Sequence, residues 1–126
     1  MDVQTANTLD LVNRFNHVFN NHDVDGIMAL MTEDCVFENT APKPDGNRYV
    51  GAKAVRGYWE RLFKRTPDAY FAEEDIFASG EKCLVSWDLR YTGPDGRPAH
   101  VRGVDLFYLR DGKVAEKMSY VKTNPD

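Results

Sequence analysis

Cysteine is scarce in this sequence, with two residues in 126, Cys35 and Cys83. That is too few for a disulfide framework, and both are expected to be buried, reduced thiols. An excess of positive charge is also missing. Sixteen Lys and Arg stand against twenty Asp and Glu, a net charge of −4, and no basic stretch interrupts the chain. This balance argues against nucleic acid and anionic membrane as partners. Long apolar runs are absent, the longest being a few residues such as Ile27 to Met31, so no membrane span is expected. The opening residues carry Asp2, Asp10 and Arg14, unlike a secretory leader, and a cytoplasmic location is expected. Glycine-rich phosphate loops, serine elbows and CxxC pairs do not occur. His17, His22 and His100 show no ligand spacing and are read as surface residues, so neither a metal nor another cofactor is expected.

What the sequence does have is 42% apolar and 12% aromatic residues, whose spacing changes along the chain. The length fits one domain over residues 1–126, with no linker or repeat to divide it. Leu11, Val12, Phe15, Val18 and Phe19 recur at three- and four-residue steps, which predicts a first helix. Asn20, Asn21 and His22 break the pattern, and Asp23 can cap a short helix carrying Ile27, Leu30 and Met31. Cys35 to Asn39 reads as a short strand ended by the Pro42 to Gly46 turn cluster. A third helix fits Ala52 to Lys64, with Pro67 just beyond it.

From there the period falls to two. Tyr70 to Ala78, Lys82 to Thr92, Pro98 to Arg110 and Lys113 to Lys122 alternate and are rich in β-branched and aromatic residues. Ser79-Gly80, Gly93 to Gly96 and Asp111-Gly112 are hairpin signals between them, predicting an antiparallel meander. Helices followed by long strands indicate an α+β fold: about three N-terminal helices over a strongly curved, mostly antiparallel, cone-shaped sheet.

One strand holds a residue that looks out of place. Period-two alternation puts Val101, Gly103, Asp105, Phe107 and Leu109 on one face, so Asp105 lies mid-strand among apolar neighbours. A carboxylate there is unfavourable unless it is hydrogen-bonded or protonated, and such an environment can make it a useful proton donor or base. The competing reading is a sheet-edge Asp paired with Lys or Arg. On the preceding strand Trp87 shares a face with Cys83, Val85, Leu89 and Tyr91, as core or as a pocket wall. Either Glu38 or Asn39 must face inward, and alternation does not choose between them.

Several segments resemble the nuclear transport factor two-like superfamily, and most closely its ketosteroid isomerase and SnoaL-like polyketide cyclase branches. They are Leu11 to Phe15, Asp23 to Leu30, Glu33 to Asn39, Gly51 to Arg56, Arg102 to Phe107 and Asp111 to Val114. The resemblance spans nearly the whole chain and implies a cystatin-like roll, a pocket for a small hydrophobic carbonyl compound and a homodimer formed through the outer sheet face, at Val104, Leu106 and Tyr108. It places the isomerases' strand Asp on Asp105. Their oxyanion-hole tyrosine falls on Phe15, which has no donor, and their proton-shuttling aspartate on Asn39, beside Glu38. Trp59 and Trp87 take pocket positions.

The function this implies is a cofactor-independent isomerase or polyketide-cyclase-type enzyme with Asp105 as acid/base. Asn39 or Glu38 would orient or relay the proton, and Phe15, Tyr58, Trp59, Trp87 and Phe107 would form the walls. The alternative is a non-catalytic ligand-binding or dimerisation domain of the same fold. Epoxide hydrolysis ranks below both, because Arg102 and Asp105 are three residues apart and point to opposite faces of their strand.

Overall fold

Residues 1–123 are described by the computed structural model. Helix α1 (Val3–Asn20) starts where the Asp2 carboxylate accepts the Thr5 backbone N–H at 2.6 Å, satisfying one orphan donor of the first turn. Its buried stripe runs Thr5, Thr8, Leu11, Val12, Phe15 and Phe19. Helix α2 (Val24–Ala29) is capped by Asp23, whose carboxylate accepts the Gly26 N–H at 2.9 Å. It stops short of the expected Leu30 and Met31. The Leu30 carbonyl is instead taken by the Val114 N–H at 2.8 Å, and Met31 opens strand β1 (Met31–Glu38). A sheet partner thus overrides helical spacing at that junction.

Strand β2 (Arg48–Val50) follows the proline-containing loop and was not expected, since three residues carry no readable period. Helix α3 (Ala52–Arg65) buries Val55, Trp59 and Phe63. Strands β3 (Tyr70–Ser79), β4 (Lys82–Thr92), β5 (Pro98–Arg110) and β6 (Lys113–Val121) form the expected meander. The six strands are ordered β2-β1-β6-β5-β4-β3, and β1 joins β6 in parallel, a pairing that the alternation alone does not disclose. Register shifts within β1, β3 and the β5–β6 ladder bend the sheet, because a bulge inserts an unpaired residue and raises local twist. The result is the expected α+β cone, with the helices on its concave side.

Both ends of α1 are tied to β3 or its hairpin. At the start of the helix, Thr8 Oγ1 donates to the Gly80 carbonyl at 2.6 Å, and the Gly80 N–H donates to Thr5 Oγ1 at 2.9 Å. At the other end, the Asn20 side chain donates to the Phe71 carbonyl at 3.0 Å and accepts the Phe71 N–H at 2.9 Å. His22 is not the surface residue expected. It is half-buried, its Nε2 lies 2.8 Å from the Ala69 carbonyl oxygen, and its ring stacks on Phe63 at 4.2 Å. Among the described residues, no helix is long and apolar enough to cross a membrane.

The concave face is closely packed where β4 pairs with β5. Gly103 pairs with Trp87, and a Cβ at Gly103 would overlap the Tyr120 carbonyl oxygen and sit 2.8 Å from the Trp87 ring. Gly103→Ala is therefore expected to destabilise the fold by about 1–3 kcal/mol. Urea unfolding checks this, as a lowered midpoint at unchanged slope; an unmoved midpoint would show that the sheet yields there. Both cysteines are buried and free, and burial raises each thiol to about 11. Because each folded thiol is held above its ordinary value of 9.0, folding favours the protonated form; this contribution to stability is whole below about pH 9 and is lost as pH rises from there through about 11. At pH 8 a thiol reagent should label Cys35 and Cys83 only when urea unfolds the chain; rapid native labelling would contradict this.

Candidate active site

Strand β5 alternates as expected, burying Asp105, Phe107 and Leu109 on the concave face and leaving Asp105 4% exposed. The β6 strand supplies what the sequence reading missed. The hairpin begins in simple register, with Arg110 opposite Lys113 and Leu109 opposite Val114. Continued unchanged, that register would put Glu116 opposite Phe107 and Met118 opposite Asp105. A bulge next to Leu109 shifts it by one, so Lys117 faces Phe107 and Ser119 faces Asp105. The same shift turns Lys117, 4% exposed, to the inside of the cone.

Lys117 Nζ lies 3.1 Å from Asp105 Oδ2, and Ser119 Oγ donates to Asp105 Oδ1 at 2.6 Å. Lys117 Nζ is also 3.4 Å from Ser119 Oγ, which closes a three-membered polar cluster. Asp105 is thus a paired carboxylate, as the competing reading had it, but it lies on an interior strand and not at a sheet edge. Aromatic faces surround the ammonium: Phe37 at 4.9 Å, Trp59 at 5.4 Å, Phe19 at 5.5 Å and Phe107 at 5.9 Å from Nζ to ring centroid. Ring quadrupoles attract a desolvated cation by about 2 kcal/mol or somewhat more. That offsets only part of the several kcal/mol needed to bury each ion, so the carboxylate is the essential partner.

Two cavities open beside this cluster. The smaller, about 250 Å³, is lined by Phe15, Asn16, Asp105 and Lys117 among others. The larger, about 570 Å³, is lined by Tyr58, Trp59, Tyr49, Lys117 and Ser119 among others. Phe19, Phe71, Trp87 and Lys117 belong to both linings, so Lys117 stands in the wall between them.

The structure sorts the residues singled out from sequence. Tyr58 and Trp59 line the larger cavity, Phe15 the smaller, and Trp87 both. Phe107 is fully buried and meets Phe15 edge-on at 5.3 Å, supporting the cluster from behind. The choice left open between Glu38 and Asn39 falls to Asn39. Asn39 reaches the larger cavity, and its Oδ1 accepts the Asn47 N–H at 2.7 Å, which holds the loop shut. Glu38 lies on the opposite face, because Cys35 and Phe37 take the inward positions of β1, and its carboxylate is 3.8 Å from Arg48. Arg102 likewise faces outward, paired with Glu74 at 3.0 Å and remote from the cluster.

Comparison with known proteins agrees with this architecture. The family model described as a SnoaL-like domain matches residues 12–117. No match was found among the curated proteins. Among solved structures, a nuclear transport factor two-like protein of unknown function from Mesorhizobium loti is 37% identical, with a TM-score of 0.83 over 98% of this chain and 97% of that one. A protein from Xanthomonas campestris pv. campestris assigned as a polyketide cyclase is 18% identical, with a TM-score of 0.83 over 94% of this chain and 93% of that one. Another, from Jannaschia sp. CCS1 and assigned as a SnoaL-like polyketide cyclase, is 19% identical, with a TM-score of 0.79 over 97% and 90% of the two chains. With the helix-covered cone, the concave cavities and a family match over most of its length, the chain belongs to the SnoaL-like family of the nuclear transport factor two-like superfamily.

Proposed function

We propose that this protein is a cofactor-independent acid/base enzyme acting on a small hydrophobic carbonyl compound, of the isomerase or polyketide-cyclase type. The observation that carries this reading is the Asp105–Lys117–Ser119 cluster, buried in an aromatic wall between two cavities. In this reading the substrate's rings lie against Tyr58, Trp59 and Trp87, with the carbonyl oxygen near Lys117. Removal of an α-proton leaves negative charge on that oxygen, and an ammonium in a dry site stabilises it far better than water does. Asp105 takes the proton and returns it either at another carbon, which isomerises the compound, or to the alkoxide oxygen formed when the carbanion closes onto a second carbonyl carbon, with no net change in protons in either case. Asn39, at the rim, orients the substrate. Glu38 has no part in it, being turned to the outer face.

Deuterium uptake at the α-carbons of an aromatic ketone such as 2-tetralone, followed by proton NMR, tests this. The wild type should accelerate exchange above buffer, and Asp105→Asn should lower that acceleration by about 10²-fold or more. A variant that keeps the native circular dichroism and the full rate would overturn the role of Asp105. The non-catalytic reading draws on two observations: Phe15 lacks a donor, and both carboxylate oxygens of Asp105 already have partners. Ketone binding detected by quenching of Trp59 and Trp87, with exchange no faster than buffer, would favour it.

The homodimer is likewise proposed. On the convex face Phe77, Leu84, Leu106 and Met118 lie in register across four strands, with Phe77 58% and nearby Tyr120 53% exposed. An apolar row of this kind is normally covered in a soluble assembly. Light scattering should therefore give twice the mass of one chain, and Leu106→Asp should halve it; a monomeric wild type would remove the proposal.

A further inference from the structure

The larger cavity has an electrostatic character that acid/base chemistry on a neutral ketone does not require. Among the described residues its lining includes three cationic side chains, Arg61, Arg65 and Lys117, and no aspartate or glutamate. This occurs in a chain whose acidic residues outnumber its basic ones. Lys117 has Asp105 as its counter-ion. Arg61 and Arg65 have none among the described residues, and nor does Arg97 in the distant β4–β5 turn, whereas Arg14, Arg48, Arg56, Arg90, Arg102 and Arg110 all pair with carboxylates.

The placement of the two arginines follows from the helix. Tyr58, Arg61, Leu62 and Arg65 recur at three- and four-residue steps, so one face of α3 presents an aromatic ring, an aliphatic side chain and two guanidinium groups to the same cavity. Gly57, inside α3, is unfavourable there by about 1 kcal/mol relative to Ala. A Cβ at that position would lie 3.2 Å from Arg61 Nη1, so the bare helix surface leaves room for the guanidinium to fold back over it.

We propose that the substrate is an acid: an aromatic or polycyclic carbonyl compound carrying a carboxylate or ionised phenol, which Arg61 and Arg65 bind at the cavity mouth while Lys117 meets the reacting oxygen within. This deepens the functional reading above and rests on it for the reacting end of the molecule. A planar guanidinium matches a carboxylate with two parallel hydrogen bonds, so the pair would fix which end of the substrate enters first. The exposed position of both arginines lets the acid group stay partly hydrated, which avoids the large desolvation cost of a buried anion.

Calorimetric titration of the full chain with 1-hydroxy-2-naphthoate and with its neutral counterpart 1-hydroxy-2-naphthamide tests the proposal. The acid should bind about tenfold tighter than the amide, and raising the salt concentration should erode that advantage. The Arg61→Gln/Arg65→Gln variant should bind the acid about tenfold more weakly and leave the amide unchanged. Equal binding of the two compounds, failure of both to bind, or indifference of the acid to the double substitution would each overturn the proposal. The outcome is separable from that of the tetralone experiment. An acid preference without any proton exchange leaves this inference standing on a binding protein, whereas exchange that depends on Asp105 without an acid preference removes this inference alone.

Discussion

The pairing of Lys117 with Asp105 is the interaction around which the concave side of this protein is organised. Neither group could be buried alone. An isolated ammonium or carboxylate in an apolar interior is unfavourable by several kcal/mol, and breaking such a pair from one side typically destabilises a protein by about 3–5 kcal/mol. The pair in turn requires that β5 and β6 be in one register and no other, since a single-residue slip would point Lys117 outward. It also requires that four aromatic rings from α1, β1, α3 and β5 converge on one ammonium group. Helix placement, sheet curvature and cavity position are in this sense consequences of accommodating two charges.

Most of the architecture was legible because it is encoded by periods. The change from a 3.6-residue to a 2-residue repeat near Tyr70 separates helices from sheet, and glycine-containing turns mark every hairpin of the meander. What was not legible depends on partners distant in the chain. The end of α2 is decided by Val114, more than eighty residues away, which draws the chain after Leu30 into the sheet. The parallel β1–β6 pairing and the three-residue β2 are similarly set by neighbours rather than by local pattern.

The candidate site shows the same division. Asp105 was visible as a charged residue on an apolar strand face. Lys117 was hidden, because the ideal hairpin register implied by Asp111-Gly112 places it on the outside, and only a bulge reverses it. The adjacent pair Val114 and Ala115, both buried, is the one local trace of that bulge, since alternation would send one of them outward. Resemblance identified Asn39 as a shuttle position, but alternation could not separate it from Glu38 until Phe37 was seen to point inward.

The clasp between Asn20 and Phe71 has a consequence beyond holding α1 in place. Strand β3 is the last strand on its side of the sheet, and a bare terminal strand offers backbone groups on which another chain can add itself. Asn20 occupies both the N–H and the carbonyl of Phe71, imitating the strand that is not there. Farther along, Glu73 and Asp75 place like charges beside a bulge, which would repel and misalign an incoming copy. The helix that roofs the cavities thus also acts as a guard against sheet-to-sheet polymerisation, and one asparagine side chain serves both ends.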